Sequence, residues 1–456
     1  MKSIRLMRFK RSGVVMLFSA LCLVLGAPAT SLASGIPGRA HPARPASPPY
    51  GMSWRLYHLM MAQQPLDAAA TKIQALAAKP GPAHDGFFET QVHISRHTLT
   101  VYWHGPVPAT VQHLISRLRA TVNIQIVQTR YSLATLNRDV LAAIRSGTGV
   151  TSGYPMTDGS GIVLGVRSPN PRSVASALRA RFGVPVVATQ AGVDHPRYCA
   201  PPIQPGQHIA ASLGPGSRCN DWPAFWGGDV IQSSYAGCSG GFGVHNASGG
   251  RYLLTAAHCA YNGSGYVNGI AFYNGQDPAN RQFIGYITDV PGPHDLAVIP
   301  TSSGDQYYDG PGILSPTPDN GLPPGSGGDT YNTKIVAGEQ STSVGDVLCE
   351  SGAFGGVRCG FTVKVLDESA TDQTVSPYKI WSGLAGATSA TGIHIVDGDS
   401  GGPFFSLDGC CTYVWAKGIV HGWFTLPHDP TVTIYDAFTP ITTATSDMGV
   451  WVNTTG

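Results

Sequence analysis

Charge is scarce in this 456-residue chain: Asp, Glu, Lys and Arg together make up 12% of it, about half of the ~25% usual in soluble domains. That scarcity excludes a disordered polyelectrolyte, a coiled coil and a long-helix protein. Long apolar runs are missing too. The longest, from Gly13 to Gly26, is about 14 residues, and a bilayer span needs about 20. The 57 glycines and 35 prolines are too dispersed for collagen. No HExxH occurs, and His245, His294, His394, His421 and His428 show no close pair at ligand spacing. No metal and no cofactor is therefore expected.

What the chain does have is apolar bulk and turns. Hydrophobic residues are 42%, enough to bury sizeable cores, and dispersed Gly and Pro suit a turn-rich β protein. The length fits about three folding units. The net charge of +2 hides an asymmetry. Residues 1–226 hold 22 Lys and Arg against 7 Asp and Glu, a balance of +15, and residues 227–456 hold 7 against 20, a balance of −13. A basic segment suits nucleic acid or a membrane surface. An acidic partner within the same chain accounts for it more simply, so neither nucleic acid nor membrane is expected as a partner.

Residues 1–34 read as a secretory signal. Lys2, Arg5, Arg8, Lys10 and Arg11 form a basic start, the apolar run follows, and Ser31-Leu32-Ala33 supplies small residues for a cut after Ala33. Cys22 leaves with this leader. Eight cysteines remain, an even number in an exported chain, which points to disulfides and to a secreted, extracellular monomer.

Residues 35–52 are a Pro/Ala/Gly-rich linker, and a helix is expected from about Leu66 to Ala78, ended by Lys79-Pro80-Gly81. An internal repeat follows. LTVYWHGPVPATVQHLISRLRATVNIQIV from Leu99 and IVLGVRSPNPRSVASALRARFGVPVVA from Ile162 lie 63 residues apart. Pro106 and Pro108 match Pro169 and Pro171, and the apolar pair Val111/Ile115 matches Val174/Leu178. Each copy reads strand, Pro-x-Pro turn, amphipathic helix, strand, with a further helix from Leu133 to Ile144 between the copies. Residues 53–190 are thus a small α+β module without a chemical motif. Residues 191–226 form a Pro/Gly-rich connection carrying Cys199 and Cys219. From Gly227 short Val/Ile/Tyr/Phe/Thr runs alternate with Gly, Asn, Asp and Ser clusters, the pattern of an all-β domain over residues 227–456.

Three motifs in that domain carry chemistry: TAAHC (Thr255 to Cys259), HDLAVI (His294 to Ile299) and GDSGGP (Gly398 to Pro403). They supply His258, Asp295 and Ser400. A serine hydroxyl needs an adjacent base to take its proton. Imidazole titrates near neutrality and takes and returns that proton, the role read for His258. A buried carboxylate, Asp295, holds the ring in one tautomer and stabilises its cation. Glycines beside Ser400 let the Gly398 and Ser400 amides approach a developing oxyanion. An esterase of another fold is excluded, because a nucleophile elbow needs Gly-x-Ser-x-Gly and the order Ser, Asp, His. Asn246-Ala-Ser and Asn262-Gly-Ser fit the glycosylation sequon.

On these motifs the C-terminal 230 or so residues resemble the secreted bacterial serine proteases of the chymotrypsin fold, in the streptogrisin and α-lytic protease branch. GGDVIQSSYAGCSGGFGV from Gly227 is similar to the mature start of those enzymes, and FTPI (Phe438 to Ile441) is similar to the strand entering their C-terminal helix. The resemblance implies two six-stranded antiparallel β-barrels with the triad in the cleft between them, acting on protein or peptide substrates. It implies disulfides Cys238–Cys259 and Cys349–Cys359, and a pro-region in the place of residues 53–190 that assists folding and inhibits the enzyme. A protease-like binding module without activity is the alternative.

Departures from the family are as informative. Where relatives carry Gly-x-x-Ser-Gly-Gly on the strand that pairs with substrate, this chain has Gly418-Ile-Val-His421-Gly422-Trp423. His421, Gly422 and Trp423 are taken as the substrate-binding candidates. Cys410 and Cys411 are adjacent; a vicinal bridge and pairing with Cys199 or Cys219 both remain open. In relatives an Arg beside the first Cys of the short disulfide loop pairs with the Asp before the nucleophile. Here that position is Glu350, so Asp399 needs another partner: Arg358, an α-amino group freed near Gly227, or backbone N–H donors and hydroxyls alone. Arg358 is preferred, because only seven Lys and Arg follow residue 226 and it stands in the same loop. Lys417 serves as the comparison, a replacement expected to alter neither activity nor stability.

Overall fold

A computed structural model describes residues 52–191, 193–195, 227–274, 281–290, 292–301, 312–314, 333–372, 375, 377–389, 392–408, 413–426 and 429–454. The signal, nearly all of the linker, most of the 191–226 connection, His428 and the cysteines 22, 199, 219, 410 and 411 lie outside the described residues. The described residues belong to one unit, Ala43–Gly456. Among them no helix is long and apolar enough to cross a membrane.

The first helix, α1 (Trp54–Ala77), begins where Ser53 accepts a hydrogen bond from the Leu56 amide, a side-chain cap on an otherwise orphaned donor. It starts about twelve residues earlier than expected and runs through Pro65. Proline interrupts a helix because it lacks the N–H that would bond the carbonyl four residues back. Tertiary packing overrides that here. Tyr57 and Met60 before the proline are buried in the C-terminal core, and Leu66, Ala69, Ala70 and Ile73 after it are buried in the N-terminal one.

A short helix, α2 (Pro82–Gly86), leads into β1 (Phe87–His93), β2 (Thr98–Trp103), α3 (Ala109–Leu118) and β3 (Asn123–Gln128). After α4 (Leu133–Ile144) come β4 (Val150–Pro155), β5 (Ile162–Val166), α5 (Pro171–Phe182) and β6 (Val186–Gln190). The repeat is visible as two lobes of the same design. In each, an antiparallel pair is followed by a helical crossover to a parallel strand: β1-β2-α3-β3 with Leu99 opposite Ile124, and β4-β5-α5-β6 with Ile162 opposite Val186. A last strand, β7 (Val193–His195), follows.

Among the described residues from 227 onward the regular structure is mostly strand. In order come β8 (Val230–Gln232), β9 (Gly237–Ser239), β10 (Gly243–Asn246), β11 (Arg251–Thr255), β12 (Ala271–Asn274), β13 (Gln282–Tyr286), β14 (Ala297–Pro300), β15 (Gly312–Leu314), β16 (Thr333–Glu339), β17 (Val347–Gly352), β18 (Gly356–Asp372), β19 (Lys379–Ser389), β20 (Pro403–Asp408), β21 (Tyr413–Leu426), β22 (Asp429–Pro440) and β23 (Val450–Val452). The pairings β17-β18-β19-β22-β21-β20 close on β17 as a ring of six. Its interior holds Leu348, Phe361, Phe404, Val420 and Phe438, with the Phe404 and Phe438 rings stacked at 4.4 Å. The first half differs from the expected six-stranded ring. Its pairings form two four-stranded sheets, β13-β12-β8-β9 and β14-β11-β10-β23, touching at the bridge Thr288–Val298. These strands are three to five residues long, so each ladder ends after a few bonds.

The N-terminal lobes are joined to the ring by main-chain pairing. β4 adds to β18, with Gly153 opposite Ser369, and β7 adds to β21, with His195 opposite Trp423. β1 meets the loop before β17, where the Val92 amide donates to Val344 O at 2.7 Å. The α1 side chains complete the seam. Gln63 Oε1 accepts the Val347 amide at 2.6 Å, and Gln64 Nε2 donates to Leu407 O at 2.9 Å.

Pro65 is expected to weaken α1. Proline in a helix interior stands about 3 kcal/mol below alanine, partly offset by about 0.4–1 kcal/mol because it restricts the unfolded chain. Pro65→Ala should therefore stabilise the full-length chain by roughly 2 kcal/mol. The urea midpoint of the two proteins in a Ser400→Ala background measures it, and an unchanged or lower midpoint would show that Pro65 is needed for the packing on either side.

Candidate active site

β11 ends at Thr255 and a 3-10 turn, Ala257–Ala260, carries His258. The turn is pinned by Cys238–Cys259, and Cys349–Cys359 closes the β17–β18 hairpin. His258 is 1% exposed and Asp295, just ahead of β14, is 0% exposed. The carboxylate grips the histidine twice: Oδ1 accepts the His258 amide at 2.8 Å and Oδ2 accepts Nδ1–H at 2.6 Å. An ionised carboxylate only accepts, so the proton is on Nδ1 and the lone pair is on Nε2. His258 Nε2 has no hydrogen-bond partner among the described residues.

A second imidazole reaches the same oxygen. His421 Nδ1 lies 2.6 Å from Asp295 Oδ2, and its ring meets that of His258 edge-on at 5.6 Å. The cause is a register shift in the β21–β22 pairing between Val420 and Gly422, which sets His421 out of step with its neighbours. Burial pushes Asp295 up, but the two imidazoles and their hydrogen bonds outweigh it and hold the carboxyl well below the usual carboxylate range. The three proposed substrate-binding residues thus divide. His421 is turned inward to Asp295, Gly422 is buried opposite Ala437, and Trp423 is half-buried opposite His195 of β7. The contact between His421 and Asp295 spans 126 residues, so no motif in the sequence announces it. His258, Asp295 and His421 also form the one cluster with metal-ligand spacing among the described residues. Both Nδ1 atoms are engaged at 2.6 Å with one oxygen, which makes the cluster an array of hydrogen bonds.

Ser400 comes in the turn before β20 and is 4% exposed. Its hydroxyl donates to the His421 carbonyl at 3.4 Å and makes no hydrogen bond to His258. Its carbonyl accepts the Ser239 amide at 2.8 Å, while Ser239 Oγ donates to Gly398 O at 2.7 Å. Glycine is required on both sides of Ser400. Gly398 has φ +91° and a Cβ there would lie 2.2 Å from the Phe354 ring; Gly401 has φ +88° and a Cβ would lie 2.2 Å from Thr255 Oγ1. Among the described residues neither the Gly398 nor the Ser400 amide N–H has an acceptor. Two adjacent uncommitted donors of this kind suit a developing oxyanion.

Asp399 is 0% exposed. Its Oδ1 accepts the Phe354 amide at 3.1 Å and the Gly355 amide at 2.6 Å, and Oδ2 accepts the Val396 amide at 2.9 Å. Arg358 NH1 stands 3.8 Å from Oδ2 and donates to the His394 carbonyl. Two of the three expected solutions are therefore combined, backbone donors and Arg358. Burial pushes the Asp399 carboxyl up, and the guanidinium and the three amides pull against it. The expectation that Lys417 is an indifferent residue is overturned. It is 0% exposed, and its Nζ contacts Asp346 Oδ2 at 3.0 Å, Asp67 Oδ2 at 3.1 Å and Ser341 O at 2.9 Å. A lysine buried with two carboxylates is structural by necessity, because a buried charge without partners costs several kcal/mol.

The remaining histidines stand apart from one another. His245 Nδ1 bonds Asn453 Oδ1, His294 bonds Asp447 and the Ser382 carbonyl, and His394 Nδ1 bonds Asp436 Oδ2.

No family model matches the chain, and no curated protein matches it. Solved structures similar to it are bacterial serine proteases. Thermobifida fusca protease A is 23% identical with a TM-score of 0.34, over 50% of this chain and 98% of that one. A glutamic-acid-specific serine protease, described as using a histidine triad in substrate binding, is 21% identical with a TM-score of 0.36, over 50% of this chain and 100% of that one. Cellulomonas bogoriensis chymotrypsin is 26% identical with a TM-score of 0.32, over 50% and 98%. The likeness is partial at these scores, and the chemistry of the site stands on its own residues.

Proposed function

We propose that the chain is a secreted serine endopeptidase of the chymotrypsin type, with two barrels, made as a proenzyme. The observation that carries it is the doubly held His258–Asp295 pair, its Nε2 lone pair uncommitted, in one buried site with Ser400 and the uncommitted Gly398 and Ser400 amides. Ser400 Oγ attacks the scissile carbonyl carbon as His258 Nε2 takes the hydroxyl proton. The carbonyl oxygen gains charge facing the two amides, each such donor contributing about 2.7–4 kcal/mol to transition-state stabilisation. His258 then gives the proton to the leaving amine, and water repeats the sequence on the acyl-enzyme. The reaction requires the Ser400 hydroxyl to leave the His421 carbonyl for His258 Nε2; such bonds are often long before substrate binds.

Residues 53–190 act as an inhibitor built into the chain, together with β7 of the connection that follows. The strand β7 lies along β21 two residues from His421, on the edge where an extended substrate would add its backbone. Removal of β7 by proteolysis frees that edge. The other reading, a binding module without activity, has on its side the Ser400 hydroxyl bonded to His421 O.

Ser400→Ala and His258→Ala should each remove nearly all peptidase activity, on the order of 10⁴-fold or more, with the double variant little worse than either single one because the residues act as a unit. A fluorophosphonate should label the cleaved chain on Ser400. More than a few per cent of activity in Ser400→Ala overturns Ser400 as the nucleophile, whereas no label and no activity in an enzyme freed of residues 1–226 favour the binding module. Arg358→Ala should lower activity and stability together, by about 1–3 kcal/mol in stability, since it leaves a buried carboxylate on backbone donors alone. Denaturation and turnover measured on one preparation decide the point: a silent Arg358→Ala assigns Asp399 wholly to Phe354, Gly355 and Val396.

A further inference from the structure

The seam between α1 and the C-terminal unit is short of positive charge. Lys417 of β21 is the cation there, and two carboxylates share it: Asp346 from the loop ahead of β17 and Asp67 from α1. The charges acting on Lys417 are those of Asp346 and Asp67, and those acting on Asp346 are Asp67 and Lys417. The other contacts are neutral. Gln63 Nε2 donates to Asp67 Oδ2 at 2.9 Å, the Ser343 amide donates to Asp346 Oδ2 at 3.0 Å, and Glu339 on the neighbouring β16 is turned to Thr445 Oγ1. Asp67 Oδ1 and Asp346 Oδ1 are both buried without a hydrogen-bond partner. With both acids ionised this dry cluster would carry a net charge of −1, which a single proton removes. Burial and the neighbouring Asp67 push Asp346 up to about 8, and the proton belongs to the pair as a unit.

A second place on the same seam repeats the imbalance. Glu89 of β1 is 5% exposed, its Oε1 has no partner, and it faces Asp367 of β18 across a cavity of about 280 Å³ that both line with His294 and Asp447. Burial first, and Asp367 second, push Glu89 well up; burial pushes Asp367 up to about 6 while His294 pulls it down. Tyr102, which donates to Gln91 Oε1, is a further titratable group near Glu89.

We propose that the C-terminal unit carries around Lys417 a docking site for a helix that presents a carboxylate one turn after a glutamine, filled in this chain by α1 with Gln63 and Asp67, and that docking there and at Glu89–Asp367 takes up protons. The N-terminal module is then held more tightly in acid and more loosely as pH rises. The inference rests on the reading of residues 53–195 as a releasable module. The sign follows from linkage. Once the module leaves, Lys417 and Asp346 form a neutral pair without a proton, and Asp67 and Glu89 enter water, where carboxyls are ionised by about pH 5. Docked, Asp346 beside Asp67 and Glu89 beside Asp367 hold protons to higher pH. Affinity is thus greatest near pH 5, falls about tenfold per pH unit for each proton taken up, and levels off above about pH 8.

The test uses the full chain with Ser400→Ala, folded intact and then cut at a protease recognition sequence inserted between residues 196 and 226. The module that stays bound after dilution is measured by size-exclusion chromatography from pH 5 to pH 9. A 10- to 100-fold loss of affinity per unit is expected between pH 5 and pH 8. Asp67→Asn and Glu89→Gln should each remove about one proton from the slope and hold the module more tightly at pH 8 than the parent, although each deletes a charge. The double variant should be nearly flat. Retention that is equal at every pH, or a double variant that keeps the parental slope, overturns the inference. Fluorophosphonate labelling of Ser400 in the unsubstituted chain is read separately, so failure of the protease reading and failure of the proton-coupled seam are distinguished.

Discussion

A carboxylate cut off from water must be surrounded by donors or give up its charge, and Asp295 is surrounded. The His258 amide, the His258 ring and the His421 ring all point at it, from a turn after β11 and from the middle of β21. Those two strands belong to different sheets, one in each half of the C-terminal unit. Asp295 therefore does two things with one set of bonds. It fixes the tautomer of His258, and it ties the halves together at the point where the chemistry is to occur. Loss of its charge would weaken all three hydrogen bonds and turn one of its oxygens into a donor among donors.

The loop that carries Gly398 and Ser400 is built on the same logic one layer further in. Asp399 has no exposure, and its three amide donors come from Phe354, Gly355 and Val396, so the β17–β18 hairpin and the segment before Ser400 converge on it. Gly398 holds its left-handed conformation, and lets the Phe354 ring approach, because it has no side chain. The amides that would meet an oxyanion are thus aimed by a carboxylate on the far side of the loop.

How much of this is legible in the sequence depends on the distance over which each part is specified. TAAHC, HDLAVI and GDSGGP announce His258, Asp295 and Ser400 because the turn, the disulfide and the glycines each motif needs are its own neighbours. The internal repeat is legible for the same reason: proline turns and i, i+4 apolar pairs are local. The start of α1 is hidden by Pro65, a strong local signal that burial of Tyr57 and Met60 in another core overrides. His421 reads as a substitution at a binding strand, since its partner is 126 residues away. Lys417 reads as a surface residue, because most lysines are exposed; only the three-dimensional meeting of Asp67 and Asp346 makes it a buried one.

Lys417 also changes the meaning of the charge asymmetry. Overall the chain is +15 before residue 227 and −13 after it, and long-range attraction of that sense raises association rates in low salt without setting the final contacts. The ion pair described across the boundary, Lys417–Asp67, has the opposite sense: the basic module offers the acid and the acidic unit offers the base. Next to it the acids of the two parts face each other, as Glu89 faces Asp367. Encounter and contact are therefore governed by different charges. If the module docks and leaves as proposed, the diffuse field would draw it in and the buried groups would set the pH at which it is held, so that a change of pH would act on the bound state while a change of salt would act mainly on the approach.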